Sequence, residues 1–596
     1  MILQTTDYFF IFGFFAISIL IGIITSRTAG KGFKEFFLSG RNMPWWLLGI
    51  SMVATTFSAD TPNLVTDIVR QNGVSGNWVW WAFLLTGMLT VFIYAKLWRR
   101  SEVLTDLEFY ELRYSGKEAA FLRGFRAIYL GVFFNVMIMA TVSLAAIKIG
   151  GVMLGLSPIQ TIFWASVVTV LYSLLGGLKG VIITDFFQFI IAMIGAVWAA
   201  YIAVNLPEVG GLTNLISHEN VVDKLNFLPD FNDWEVLLPV LILPLAIQWW
   251  SVWYPGAEPG GGGYIAQRML SAKDEKNAVA ATFLFNATHY ALRPWPWILV
   301  ALASLVVFPD LASLRAAFPD IDPNVVQHDL AYPAMLTFLP SGVLGLVIAS
   351  LIAAYMSTIS THLNWGSSYV VNDFYKRFFK PDASEKELVL VGRISTVVLM
   401  IFAGFMALLL QNALQAFHIL LQIGAGTGLI FILRWFWWRV NAWSEIGAMT
   451  VSFLIAIYFE IAHVKFGFDP IPTHYKLILG VAITTVVWIV IAYLGPKTDM
   501  DVLINFVKKI KPGGPGWKKV DQIIIEREGS LPYGEKQWDV PRGLIAMLVG
   551  SMTVYSVLFA TGFWIYSNTI PAVILTVVAL LGAVFLIRLV AKIRFS

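Results

Sequence analysis

Ala354, Ser357, Thr358 and Thr361 fall on one helical face by i, i+3, i+4 spacing, inside the apolar segment 341–371. Hydroxyls on such a face suit a hard monovalent cation, which takes oxygen ligands and needs no permanent countercharge. The same spacing also serves helix packing, since Ser and Thr bond back to their own carbonyls. Two other segments contain residues that interrupt a helix. Segment 44–66 holds Gly49-Ile-Ser-Met-Val-Ala-Thr-Thr-Phe-Ser-Ala-Asp-Thr-Pro62, with hydroxyls, an acid and a proline near its middle. Segment 235–257 runs into Trp249-Trp-Ser-Val-Trp-Tyr-Pro-Gly-Ala-Glu-Pro-Gly-Gly-Gly-Gly263, where Pro lacks an N–H and Gly has little helix preference. Carbonyls freed at such breaks are further cation ligands. Taken singly, each break also fits a proline kink or a loop starting at Pro255.

Aromatic residues gather at both breaks. Asp60 and Thr61 follow the first, Trp78, Trp80 and Trp81 open the next segment, and Gln248, Trp249, Trp250, Trp253 and Tyr254 precede the second. Ring faces flanked by a few polar groups suit a sugar or another polar organic solute; an interfacial aromatic belt is the alternative. Arg293, in His289-Tyr-Ala-Leu-Arg-Pro-Trp-Pro-Trp297, lies in an apolar run where a charge is costly and marks function by default. It either binds a solute carboxylate or pairs structurally with Asp60 or Glu258.

The elements that position these residues follow from composition. Of 596 residues 58% are apolar and 13% charged, against roughly 25% charged in a soluble domain. Apolar runs of about 20 residues, enough to span a bilayer, recur about fifteen times. Their lengths suit helices rather than the roughly 10-residue strands of a barrel, so the expected class is all-α integral membrane with a lipid bilayer as partner. The net charge is +4 and the pI about 8.9. The basic clusters Lys96/Arg99/Arg100, Lys273/Lys276, Lys376/Arg377/Lys380, Arg434/Arg439 and Lys508/Lys509/Lys511 fall on alternate loops. That is the positive-inside pattern, and no nucleic-acid partner is expected. Cysteine is absent, which excludes disulfides and Cys-based metal sites. The first run, Tyr8 to Thr25, has Asp7 before it and Arg27, Lys31, Lys34 and Arg41 after it, the reverse of a cleavable signal. It reads as a retained helix with the N-terminus outside and the C-terminus cytoplasmic. His289 and His362 lie in apolar runs, but no HExxH, Walker or GxSxG context surrounds them, so an enzyme is not expected.

The two breaks lie about five helices apart, and an odd number of spans inserts the second copy upside down, the arithmetic of a five-plus-five inverted repeat. The resulting division is an extra helix and loop over 1–43, a ten-helix transport core over 44–440, two helices over 441–495, a cytoplasmic loop over 496–541 and a helical hairpin over 542–596. The loop has too few apolar residues for a core of its own.

Phe36-Phe-Leu-Ser-Gly-Arg41, Thr56-Phe-Ser58-Ala59-Asp60, Glu108-Phe-Tyr-Glu-Leu-Arg113-Tyr114, Gly176-Gly177, Thr184-Asp185-Phe-Phe-Gln188, Gln267-Arg268 and Met356-Ser357-Thr358, in this order, resemble the sodium:solute symporter family. The match runs over roughly residues 30 to 440 and includes sodium/glucose, sodium/proline and sodium/sialic acid transporters as relatives. The resemblance implies a leucine-transporter-type fold and sodium-coupled import of a small polar solute by alternating access, with sugars favoured. It implies one sodium ion held by the carbonyls of Ala54, Phe57 and Ala354 and the hydroxyls of Ser357 and Thr358. Asp185, Ser357, Ser360 and Thr361 match the place of a second sodium in some members; Asp185 could instead pair with Lys179. The solute is expected among Asp60, Thr61, Trp78, Trp81, Gln248, Trp249, Trp253, Tyr254, Arg293 and Gln422 of the tenth core helix. Arg293 resembles the position of a sugar-contacting lysine in the galactose branch. Two departures weaken the carry-over at the solute: the stretch Pro255–Gly263 is longer and richer in glycine, and Thr61 stands where the sugar branch has glutamine. A proton-coupled or uncoupled carrier of the same fold is the alternative, ahead of a membrane-embedded enzyme or a transporter-derived sensor.

Overall fold

The computed structural model describes residues 3–29, 31–56, 58–252, 258–319, 321, 326–410, 424, 426–531, 538–593 and 595. The helices that matter to the site are α1 Thr5–Ala29, α2 Trp45–Thr56, α3 Thr61–Asn72, α4 Val74–Ser101, α5 Gly116–Leu154 and α6 Pro158–Val204. They are followed by α7 Trp234–Ala246, α8 Gly263–Ser271, α9 Glu275–Val307, α10 Val343–Phe379 and α11 Glu385–Leu409. The chain ends with α12 Ala442–Ile457, α13 Thr473–Leu494, α14 Met500–Ile510, α15 Lys518–Glu528, α16 Val540–Ile565 and α17 Thr569–Val590. Among the described residues ten helices are long and apolar enough to cross a membrane: α1, α4, α5, the second part of α6, α9, α10, α11, α13, α16 and α17. Four shorter apolar helices, α2, Pro158–Leu171, α7 and α12, accompany them. In the segment expected over 414–438, residues 414–423 and 425 lie outside the described residues, and the remainder carries a short helix over Gly428–Leu433.

Helices dominate because a backbone in lipid must satisfy its own N–H and C=O groups. Burial then sorts the bundle. α4 and α10 are the most enclosed spans and α17 the least, which puts the hydroxyl-bearing α10 at the centre and the final hairpin at the rim. That hairpin is fastened to α4 by rings: Trp78 lies 5.1 Å from Tyr555 and 5.9 Å from Phe559, and Trp81 lies 5.6 Å from Phe559.

α6 is two helices joined end to end at Gly177, whose φ of 53° and ψ of −159° leave the helical region. Only glycine holds that conformation without strain. The stretch 496–541, expected as a loop, carries α14 and α15. Their apolar residues do not form a separate core; Phe506 and Trp517 are buried and stack on each other at 5.4 Å beneath the main bundle. Trp517 Nε1 donates to Trp435 O at 3.0 Å.

Candidate ion and solute site

α2 stops at Thr56 and α3 begins at Thr61 with Pro62 in its first turn, where a missing N–H costs nothing. In the gap the Ser58 hydroxyl donates to the Asp60 carboxylate and Thr61 N–H donates to Ser58 O at 3.2 Å. A helix that stops inside the bundle leaves its last carbonyls, and the negative end of its dipole, unsatisfied. Three are taken by other elements. Val53 O and Thr56 O accept from the Arg293 guanidinium at 3.2 and 2.9 Å, and Thr55 O accepts from Thr358 Oγ1 at 2.7 Å. Ala54 O accepts no bond from another element among the described residues.

α10 supplies the facing side. Thr358 Oγ1 also lies 3.2 Å from Ala354 O, and the Thr55 and Thr361 hydroxyls are 3.0 Å apart. Thr55, next to Ala54, is therefore held against Thr358 and Thr361 where α2 ends beside the middle of α10, on the face that carries Ala354 and Ser357. A threonine hydroxyl that donates its one proton to a carbonyl still has lone pairs to offer, so the bond to Thr55 leaves Thr358 able to ligate a cation. Phe57, expected to add a carbonyl, lies outside the described residues.

Beside this junction, on the same stretch of α10, the chemistry changes. Asp185 of α6 is fully buried and accepts from Ser51 at 2.5 Å and Ser357 at 2.7 Å. Its countercharge is Arg268 of α8, with N–H to carboxylate at 3.7 Å, rather than Lys179. Arg268 donates to Thr361 at 2.7 Å and to Ser51 and Gln267 at 3.3 and 3.0 Å. The residues matched to a second ion thus assemble around a guanidinium, while Ser360 turns back to Ser357 O at 3.1 Å. Arg268 stood in the sequence as part of a motif without a role. The structure gives it one: every member of its nine-residue helix is buried, and a buried charge there demands a partner.

Around the solute candidates the structure is selective. Arg293 follows a wide turn in α9, its N–H reaching Thr288 O at 3.3 Å, and such turns commonly re-aim a side chain at functional positions. It caps α2, contacts His289 Nδ1 at 2.7 Å and lies over the Trp297 ring at 5.1 Å. The Glu258 suggested as its partner is engaged elsewhere, by Arg126 and by Arg434 at 3.6 Å. Trp80, not Trp78 or Trp81, faces this region: it stacks on Tyr290 at 5.8 Å and meets His289 edge-on at 5.7 Å. Trp78 donates to Phe227 O at 2.9 Å and Trp81 is fully buried, both turned to the hairpin. Gln248 donates to Val79 O at 2.7 Å, and Trp249 O accepts from Thr86, which ties the second break to α4. Val252 N–H donates to Gly424 O at 3.1 Å. There and at Gly428 the backbones are so close that a Cβ would strike the carbonyls of Val252 and Trp250. Trp253, Tyr254 and Gln422 lie outside the described residues.

Comparisons with known proteins agree with this architecture. Residues 36–454 match the model of the sodium:solute symporter family. The sodium/glucose cotransporter of Vibrio parahaemolyticus is 27% identical over 76% of this chain and 84% of its own length. Sodium/glucose cotransporter 1 of Oryctolagus cuniculus is 25% identical over 76% of this chain and 72% of its own. The substrate-bound outward-open structure of a Na+-coupled sialic acid symporter aligns with a TM-score of 0.63 at 20% identity, over 83% of this chain and 99% of that one. The chain belongs to the sodium:solute symporter family, and is an integral membrane transporter of a small solute rather than an enzyme.

Proposed function

We propose that this protein imports a small polar organic solute, sugar or sugar-like, by sodium-coupled alternating access. The observation that carries the reading is the junction of α2 and α10. Ion ligands divided between the end of a broken helix and an unbroken one are complete only while the two helices touch, so sodium favours the conformation that holds them together. Such a difference in affinity between conformations is what coupling requires. The ligands are Ala54, Phe57, Ala354, Ser357 and Thr358. Aromatic faces at Trp80 and Tyr290 support a ring-shaped solute, as does the likeness to sodium/glucose cotransporters.

The core over 44–440 is read as a five-plus-five inverted repeat of the leucine-transporter type within about fifteen spans. The N-terminus lies outside and the basic end of the bundle is cytoplasmic. One sodium per solute is favoured over two, because the Asp185 carboxylate already has a resident cation in Arg268. Arg293 is assigned to holding the α2 terminus rather than to a solute carboxylate, since its bonds go to Val53, Thr56 and His289.

Uptake into proteoliposomes across a panel of sugars, sugar acids and amino acids tests the reading. At least one solute should accumulate only with an inward sodium gradient, with hyperbolic dependence on sodium. Transport of every accepted solute unaffected by sodium, or driven equally by a proton gradient, would overturn it.

A further inference from the structure

At the basic end of the bundle an open recess of about 150 Å³ lies where α4 and α16 diverge, past the contact of Gly543 with Ile93. We propose that it binds the phosphodiester headgroup of an anionic glycerophospholipid. Its charged groups are Lys96 and Arg100 of α4, Lys511 at the end of α14 and Asp539 before α16. Lys96 pairs with Asp539 at 2.9 Å, and Arg100 forks onto Glu275 at 2.9 and 3.1 Å. No carboxylate among the described residues pairs with Lys511, and Asp539 is shared by Lys96 and Arg542 at 2.9 and 3.8 Å, so the described charges at the recess are in positive excess. A phosphodiester supplies the negative charge that offsets it.

Lys511 also sits where the backbone asks for a different residue. Its φ is 53°, and the next left-handed positions, Gly513 and Gly514, are glycines. A long cationic side chain kept at a position that glycine fits better is a local conflict of the kind found at functional sites.

The remaining walls select a lipid over a soluble anion. Phe92, Ile93, Phe436 and Val540 line the same recess. Phe92 and Ile93 belong to the last turns of one span and Val540 opens another, which sets the cations at headgroup depth with apolar surface beside them for the acyl chains. Basic pockets between spans on the cytoplasmic side recognise anionic headgroups in this way. A lipid seated there would join α4, the α14 terminus and α16, three elements distant in sequence.

The experiment uses the full-length protein in a neutral detergent and reads thermal unfolding together with native mass spectrometry. The probes are dihexanoyl phosphatidylglycerol, dihexanoyl phosphatidylcholine and inorganic phosphate. Phosphatidylglycerol should raise the unfolding midpoint by several degrees with one lipid retained, while the other two leave it unmoved. Lys511→Gly, which suits the local backbone and should fold, should weaken phosphatidylglycerol binding about tenfold or more, and Lys511→Arg should retain it. An equal shift from phosphatidylcholine makes the recess merely apolar, and an equal shift from phosphate makes it a free-anion site. Either result, or undiminished binding in both Lys511→Gly and Lys511→Glu, overturns the proposal. None of these readouts depends on sodium or on transport.

Discussion

Two buried charge clusters in this bundle use the same ion types in opposite ways. At Asp185 a single carboxylate faces a single guanidinium at 3.7 Å, and the rest of its shell is the hydroxyls of Ser51 and Ser357. At Glu258 two carboxylates and two guanidinium groups interlock. Arg126 and Arg434 both engage Glu258, while Arg434 and Tyr114 both engage Glu445. Aromatic rings enclose the second cluster: the Phe431 ring lies 4.8 Å from the Arg126 guanidinium and 4.7 Å from that of Arg434, which also lies 4.7 Å from Phe109. Hydroxyls rotate and exchange partners at little cost, whereas a guanidinium held between rings and two acids does not. The first cluster is held by bonds that can rearrange around its resident guanidinium, and the second suits a fixed joint between α5, the second break and the end of the core.

The comparison breaks most decisively at Glu258. Removing one partner of a buried ion pair strands the other, so Glu258→Gln should cost about 3–5 kcal/mol of stability whether or not sodium is present. Thermal unfolding of detergent-solubilised protein reads this, and a wild-type midpoint would show that the joint is not structural. Arg268→Gln also strands an acid, but one surrounded by hydroxyls that a sodium ion can use. Its midpoint should fall in sodium-free buffer and recover with added sodium, as mass action requires of a ligand that binds the folded state. Uptake by this variant should turn from hyperbolic to sigmoidal in sodium. If its midpoint ignores sodium, Asp185 is not an ion ligand. The smallest expected effect is Thr358→Ala, which removes one oxygen of the proposed site. It should raise the sodium concentration for half-maximal uptake by roughly tenfold, the equivalent of one ligand bond, without lowering the midpoint as Glu258→Gln does. Unchanged sodium dependence in Thr358→Ala would remove it from the site.

Much of the ion region was legible in the sequence because its causes are local. Pro62 and the face of 354, 357, 358 and 361 declare themselves by backbone chemistry and by helical spacing, and the structure sets that face, through Thr358 and Thr361, against Thr55 at the end of α2. The partner of Asp185 was not legible. The pairing joins α6 to α8 across a long flexible side chain, and nothing near residue 185 indicates that Arg268 rather than Lys179 will reach it. The aromatic residues show the same limit. The sequence reading places Trp78 and Trp81 at the solute and leaves out Trp80, but neighbouring positions on a helix point about 100° apart. Only the packing of Tyr555 and Phe559 decides that Trp78 and Trp81 turn away and Trp80 turns inward. The stretch 496–541, read as a loop without a core of its own, carries two short helices the sequence reading did not mark, and its Phe506 and Trp517 complete the core of a neighbour.

Gly177 gives the ion region a mechanical property as well as a chemical one. The two helices on either side of it meet without an intervening loop, so no slack separates them. Asp185 sits about two helical turns beyond that corner. The torsions of Gly177 are therefore what set the angle between the arm that carries the carboxylate and the arm before it.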